Sequence, residues 1–138
     1  AYSIGAAGAA TITIADDDQA DTAPAVIGSS PANGATSVAL NTPLTLTFSE
    51  QVDIAAGAVR VQCAGATPVS NPQALSNVSS ITLPAPGAWT AGAACSVTVD
   101  AVGVADVDSS DPPNGPAANY AGSFTTTSNV CTASDTPI

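Results

Sequence analysis

The feature that most constrains the fold is a repeated alternation of apolar and polar residues in short runs. Leucine and phenylalanine alternate with Thr and Ser in residues 44–49, and residues 59–62, 80–83 and 96–99 repeat the pattern. Alternation with a period of two places one face of a strand against a core and the other in solvent. Because no segment shows a helical period, the sequence predicts an all-β protein.

Other strands are predicted between turn residues rich in Pro, Gly and Asn. They lie at Val26-Ile27, at Val69, at Leu75 and from Tyr120 to Thr127. A long turn is predicted from Asp106 to Asn119, and Trp89 is expected to cover one end of the core. Strand signals at this spacing indicate an antiparallel β-sandwich of about seven strands with an extra N-terminal strand.

Charge excludes several functions. The chain of 138 residues has one basic side chain, Arg60, no histidine, and a net charge of -10. Enzymes usually need histidine as a base or a cationic group to stabilise negative charge, so we expect no catalysis. Nucleic acid needs a basic surface, and membrane insertion needs about 18 consecutive apolar residues, so neither partner is expected.

Clustered aspartates are the candidate metal ligands, since calcium prefers six to eight oxygen ligands. The first cluster comprises Asp16, Asp17, Asp18 and Asp21, and the second comprises Asp106, Asp108 and Asp111. The alternative is that both are solvated turns, which aspartate favours intrinsically. Calcium is therefore a possible cofactor. Glu50 and Asp53 form the only close Glu/Asp pair inside the predicted fold, and a catalytic role as paired carboxylates is not expected.

The three cysteines bear on the redox compartment, because a disulfide would imply an oxidising one. Cys63 and Cys95 both lie in strand-like runs, so a disulfide between them is favoured over two buried thiols. Cys131 is left over near the end of the chain and is expected to be unpaired or to form an intermolecular bond.

One short strand stands apart from the others. The run Thr11, Ile12, Thr13, Ile14 is preceded by small residues and followed by the Asp16–Asp18 triplet. A single strand is not stable alone, so it must join a sheet. It either pairs with the edge of its own sandwich or is donated to the next copy, which would produce a homo-oligomer or a fibre.

Two phrases carry a family resemblance. The stretch SSPANGATSVALNTPLTLTFSEQVD, from Ser29 to Asp53, and the later GSFTT, from Gly122 to Thr126, resemble bacterial Ig-like domains of the surface-layer type. The resemblance covers about Pro24 to Thr127. It implies an Ig-like sandwich that serves as a spacer, stalk or adhesive repeat, in which Glu50 is a structural residue at a strand end.

Two further resemblances concern the segment before this region and the long turn within it. ATITIADDDQAD, from Ala10 to Asp21, resembles the end of a Calx-β domain, where such an aspartate triplet helps to bind calcium. The phrases Asp111-Pro112-Pro113-Asn114 and Ala118-Asn119-Tyr120 resemble Ig-like segments that precede the catalytic regions of large secreted nucleases.

These observations predict three segments: residues 1–21 as an orphan strand and acidic linker, 22–128 as the sandwich, and 129–138 as a tail. We expect a non-catalytic structural or adhesive module, extracellular or at a bacterial surface, repeated in a fibre through its N-terminal strand. The alternative is a spacer between neighbouring domains of a large secreted enzyme such as a nuclease. The start at Ala1, without an initiator methionine, leads us to expect processing from a longer precursor.

Overall fold

The fold is taken from a computed structural model, which describes Gly5 and residues 21–85 and 89–128. The strands are β1 (Val26–Ser30), β2 (Ala35–Val38), β3 (Leu44–Ile54), β4 (Val59–Cys63), β5 (Val69–Ser70), β6 (Leu75–Leu83), β7 (Ala94–Val99), β8 (Val104–Asp106) and β9 (Tyr120–Thr126). A single helical turn of the 3-10 type, Ala101–Gly103, lies between β7 and β8. Over the described ranges, no helix is long and apolar enough to cross a membrane.

The strands form two sheets. In the first, β1 and β8 both pair with one edge of β3, and β6 pairs with the other edge. In the second, the order is β2-β9-β7-β4-β5. All pairs are antiparallel except β2 with β9, which run parallel. The predicted all-β sandwich is confirmed, with nine strands in the described residues where about seven were expected.

The core lies between the sheets and follows the alternation in the sequence. In β3, Leu44, Leu46 and Phe48 are buried, and the residues between them are not. The second sheet supplies valines from β4 and β7. Burial of each such side chain contributes about 1.5–3 kcal/mol. Because β-branched and leucine side chains provide most of this core, it needs few aromatic residues.

Trp89 closes the core at one end, as predicted. Its side chain is 3% exposed and makes an edge-to-face contact with Phe124, with ring centroids 6.1 Å apart. The indole Nε1–H donates to the Thr42 carbonyl at 2.7 Å, so the single polar atom of this large side chain is satisfied.

The described chain enters beside the start of β9 and leaves at the end of that strand. Ala23 and Val26, at the entrance, line a cleft together with Tyr120, the first residue of β9. The last residue of that strand, Thr126, donates its backbone N–H to the Ala93 carbonyl at 3.0 Å, beside the start of β7. Since β9 runs the length of its sheet, the two ends of the described domain are a strand length apart.

Candidate metal centre

Three carboxylates meet where one edge of β3 changes its neighbour. On this edge, β1 pairs with residues 45–48 of β3 and β8 pairs with residues 52–54. Glu50 lies between these two paired segments. Both neighbours run antiparallel to β3, so the start of β1 and the end of β8 point towards Glu50. Asp21 precedes β1 and Asp106 ends β8, which brings their carboxyl groups to the same place.

We call Asp21, Glu50 and Asp106 the acidic cluster. One carboxylate oxygen from each residue lies within 4.8 Å of those from the other two. Part of the bonding capacity is used locally: Asp21 Oδ1 accepts from the Thr22 N–H at 2.9 Å, and Asp106 Oδ1 accepts from the Asp108 N–H at 3.0 Å.

The second oxygens are different. Asp21 Oδ2, Glu50 Oε1 and Asp106 Oδ2 are shielded from solvent and have no hydrogen-bond partner within the described chain. Asp106 is only 6% exposed, whereas Asp21 and Glu50 are half-buried. Buried carboxylate oxygens without a donor are costly, and native proteins contain few of them.

Burial and neighbouring negative charge both disfavour the ionised forms of Asp21 and Glu50. Burial raises the pKa of Glu50 above its ordinary value of 4.5, and the charges of Asp106 and Asp21 raise it further. Desolvation raises the pKa of Asp21 above 3.8, and the negative charge of Asp106 raises it further. These are the shifts expected where like charges share a partly dehydrated space.

No basic side chain balances the cluster within the described chain. Arg60 is the only lysine or arginine, and it is exposed on β4, a strand of the other sheet. The negative charge of the cluster is therefore available to a cation from solution.

The structure groups the predicted ligands differently from the two clusters that the sequence indicates. Asp21 and Asp106, which belong to separate clusters in the sequence, come together. Asp108 is exposed beside Asp106 and accepts from the Ser110 N–H at 3.1 Å, and Asp111 lies outside the acidic cluster. The triplet Asp16, Asp17 and Asp18 lies outside the described residues, so its ligand role stays a prediction.

Glu50 is the member that the sequence did not predict as a ligand, because its strand-ending position looked structural. Its nearest acidic neighbour in sequence, Asp53, serves another purpose: Asp53 Oδ1 accepts from the Asn77 N–H of β6 at 2.8 Å. The only signal for Glu50 is that it is the sole glutamate of the chain and lies in a strand pattern of mostly uncharged residues. Its partners are distant in sequence.

Of the remaining predicted sites, the structure describes the disulfide, whereas the others lie outside the described residues. Cys63 and Cys95 are direct partners in the β4–β7 register and are joined by a disulfide. Cys131 and the strand-donation residues Thr11, Ile12, Thr13 and Ile14 lie outside the described residues.

The architecture defines an immunoglobulin-like class of β-sandwich, in which two mainly antiparallel sheets face each other across an apolar core. The Cys63–Cys95 disulfide joins neighbouring strands of one sheet, unlike the bond between sheets in antibody domains. A family model described as bacterial Ig-like domain matches residues 20–126. The chain belongs to this family, as its resemblance in sequence implied. No curated protein and no solved structure gives a significant match.

Family membership supports the coarse function. Bacterial Ig-like domains are typical of surface proteins and are generally non-enzymatic, so the chain is an Ig-like module of the bacterial surface or extracellular type. The match begins at residue 20 and lends no support to the Calx-β resemblance of residues 10–21, which stays a prediction.

Proposed function

We propose that this domain is a non-catalytic structural module that joins its neighbours in series within an extended extracellular bacterial assembly. The observation that carries the proposal is the path of the chain, which enters beside the start of β9, at Ala23, and leaves beyond the end of β9, near Ser128. A module with this path adds its own length between the segments that it connects. A catalytic module has no such need for separated ends.

The more specific form of the proposal is a fibre of repeated copies, in which residues 11–14 of one chain add to the β6 edge of the next. β6 is nine residues long, pairs only with β3 in the described chain, and contains no charged residue. Natural sheets usually guard such edges with charges, especially lysine, with proline, or with covering segments. The unguarded edge of β6 is therefore suited to strand addition.

A cleft beside β6 supports this choice of edge. It has a volume of about 350 Å³ and is lined in part by Val69, Leu75, Ile81 and Leu83. In an added strand with the sequence Thr-Ile-Thr-Ile, the two isoleucines fall on the same face. The two apolar isoleucine side chains would fill this apolar cleft, and the two threonine side chains would face solvent.

The second candidate is a spacer in a large secreted enzyme such as a nuclease. The same end-to-end path favours it, because a spacer also holds its two neighbouring domains apart. The two functions differ in one property: the spacer does not require copies of the domain to recognise one another.

Light scattering coupled to size-exclusion chromatography distinguishes them, with electron microscopy of the same samples. The fibre proposal predicts concentration-dependent oligomers for the full chain and their loss when residues 1–18 are deleted. Ser80→Lys and Thr82→Lys place charge on β6 and should also abolish assembly.

The matched control is Ser96→Lys, which places the same charge on the exposed face of β7, an interior strand of the other sheet. It should assemble as the unmodified chain does. Equal assembly with and without residues 1–18 would reject strand donation, and a chain that is monomeric at every concentration would favour the spacer.

A further inference from the structure

We propose that Asp21, Glu50 and Asp106 bind one calcium ion, which fastens the chain entering the domain to strands β3 and β8. The ligands come from three parts of the chain that the fold alone brings together. The inference does not depend on strand donation, because a spacer and a fibre subunit would share the same site.

The first step is geometric. Calcium binds oxygen at about 2.3–2.6 Å, so two oxygens on the same ion are separated by at most about 5.2 Å. The three carboxylates of the acidic cluster each provide an oxygen within 4.8 Å of the others. They are therefore already spaced as ligands of one ion.

The second step is that the cluster contains a buried carboxylate oxygen that accepts no hydrogen bond. This oxygen distinguishes the cluster from a solvated acidic turn. Asp106 is 6% exposed, and its Oδ2 has no partner within the described chain. Its other oxygen is occupied by the Asp108 N–H. A cation at the cluster would satisfy Asp106 Oδ2 and also the free oxygens of Asp21 and Glu50.

The third step selects the ion. All three donors are carboxylates, which suit hard cations, whereas zinc prefers nitrogen and sulfur ligands. Magnesium demands near-ideal octahedral geometry, while calcium accepts irregular sets of six to eight oxygens. Because Asp21 and Glu50 are half-buried, water can complete the coordination from the open side.

The consequence is mechanical. Asp21 lies before β1, so an ion held by Asp21, Glu50 and Asp106 would link the entrance of the domain to two strands of the first sheet. In a serial module this would set the direction from which the preceding segment approaches. It would also remove the repulsion among the three carboxylates.

The test uses the full chain, with isothermal titration of calcium chloride and thermal melting in calcium or in EDTA at matched ionic strength. We expect one ion per chain. At a calcium concentration about 100-fold above Kd, the melting temperature should rise by roughly 10 °C. Glu50→Gln and Asp106→Asn should each weaken binding by about tenfold or more, because affinity follows the charge of the ligands.

Asp21→Asn is the variant least coupled to folding, since it precedes β1, and it should also weaken binding. Asp100→Asn, which changes the charge equally outside the acidic cluster, should bind as the unmodified chain does. In EDTA the cluster variants should melt no lower than the unmodified chain, because each removes repulsion.

Three results would overturn the proposal. The first is the absence of both heat and a melting shift in the unmodified chain. The second is binding that survives Glu50→Gln and Asp106→Asn but is lost when residues 16–18 are changed to asparagine. The third is an equal shift in magnesium at the same concentration, which would reject calcium as the ion.

Discussion

At the scale of single residues, the acidic cluster predicts how stability depends on pH when no cation is present. Burial raises the folded-state pKa values of Asp21 and Glu50 above their ordinary values of 3.8 and 4.5. Nearby charges raise both further: Asp106 and Asp108 face Asp21, and Asp106 and Asp21 face Glu50. A carboxyl with a raised folded-state pKa is protonated more readily in the folded chain. Its contribution to stability is therefore fully present below the ordinary value and is lost as pH rises through the folded-state pKa.

We therefore expect that, in EDTA, the free energy of unfolding contributed by Glu50 falls as pH rises from about its ordinary value of 4.5 through its raised folded-state value. The measurement is urea unfolding over this range for the unmodified chain and for Glu50→Gln. The difference between the two curves isolates Glu50 from the general effect of the net charge. Parallel curves would show that the pKa of Glu50 is not raised in the folded chain.

A second prediction concerns Asn71, a buried polar residue that organises the β4–β6 connection. Its Oδ1 accepts from the Val59 N–H at 3.0 Å, and its Nδ2 donates to the carbonyls of Ala55 and Gln73, each at 2.9 Å. Asn71→Ala leaves these backbone groups without partners, so we expect a loss of about 2–4 kcal/mol in urea unfolding. Gln73→Ala, which removes an exposed side chain, should change stability by less than about 0.5 kcal/mol. Equal effects would contradict the role given to Asn71.

At the scale of elements, alternation predicted the strands that bury one whole face. Residues 44–49, 59–62 and 96–99 lie in β3, β4 and β7. β8 was not predicted, because three residues are too few to show a period. Leu75 and Ile81 were assigned to separate strands but belong to β6, where Asn77 adopts a positive φ of 58° in a strand that is irregularly paired with β3.

The acidic cluster was less predictable than the strands for a related reason. Its three carboxylates meet only because β1 and β8 share one edge of β3. That pairing depends on long-range packing, which no local pattern encodes. The composition shows that most carboxylates lack a basic partner. It does not show which carboxylates the fold brings together.

The disulfide between β4 and β7 gives a testable prediction at the scale of elements. Cys63 and Cys95 are both 1% exposed and are directly paired between β4 and β7. Replacing both cysteines with alanine should lower the free energy of unfolding by roughly 2–4 kcal/mol. The main reason is that the unfolded chain gains conformational entropy when the cross-link is removed. The fold should persist because the register contains four further pairs, Val59↔Val99, Arg60↔Thr98, Val61↔Val97 and Gln62↔Ser96. Cys131→Ala is the control, and an equal loss in that variant would contradict the assignment.

At the scale of the whole molecule, the domain has separated ends and an uncharged edge strand, and the full chain has a net charge of -10. Long-range repulsion between such chains opposes nonspecific association. Specific strand addition at β6 would proceed against this repulsion, and calcium at the acidic cluster would reduce it. The low number of charges is thus consistent with both a non-catalytic role and an edge open to assembly.

The most direct test of the proposed assembly is disulfide trapping in a Cys131→Ser background. Thr13→Cys is combined with Ser80→Cys or Thr82→Cys, which lie on the exposed face of β6. Donation between copies predicts a ladder of covalent oligomers on a non-reducing gel, and no ladder when Thr13→Cys is paired with Ser96→Cys. A cross-linked monomer, or no cross-link, would contradict strand donation and leave the domain as a spacer.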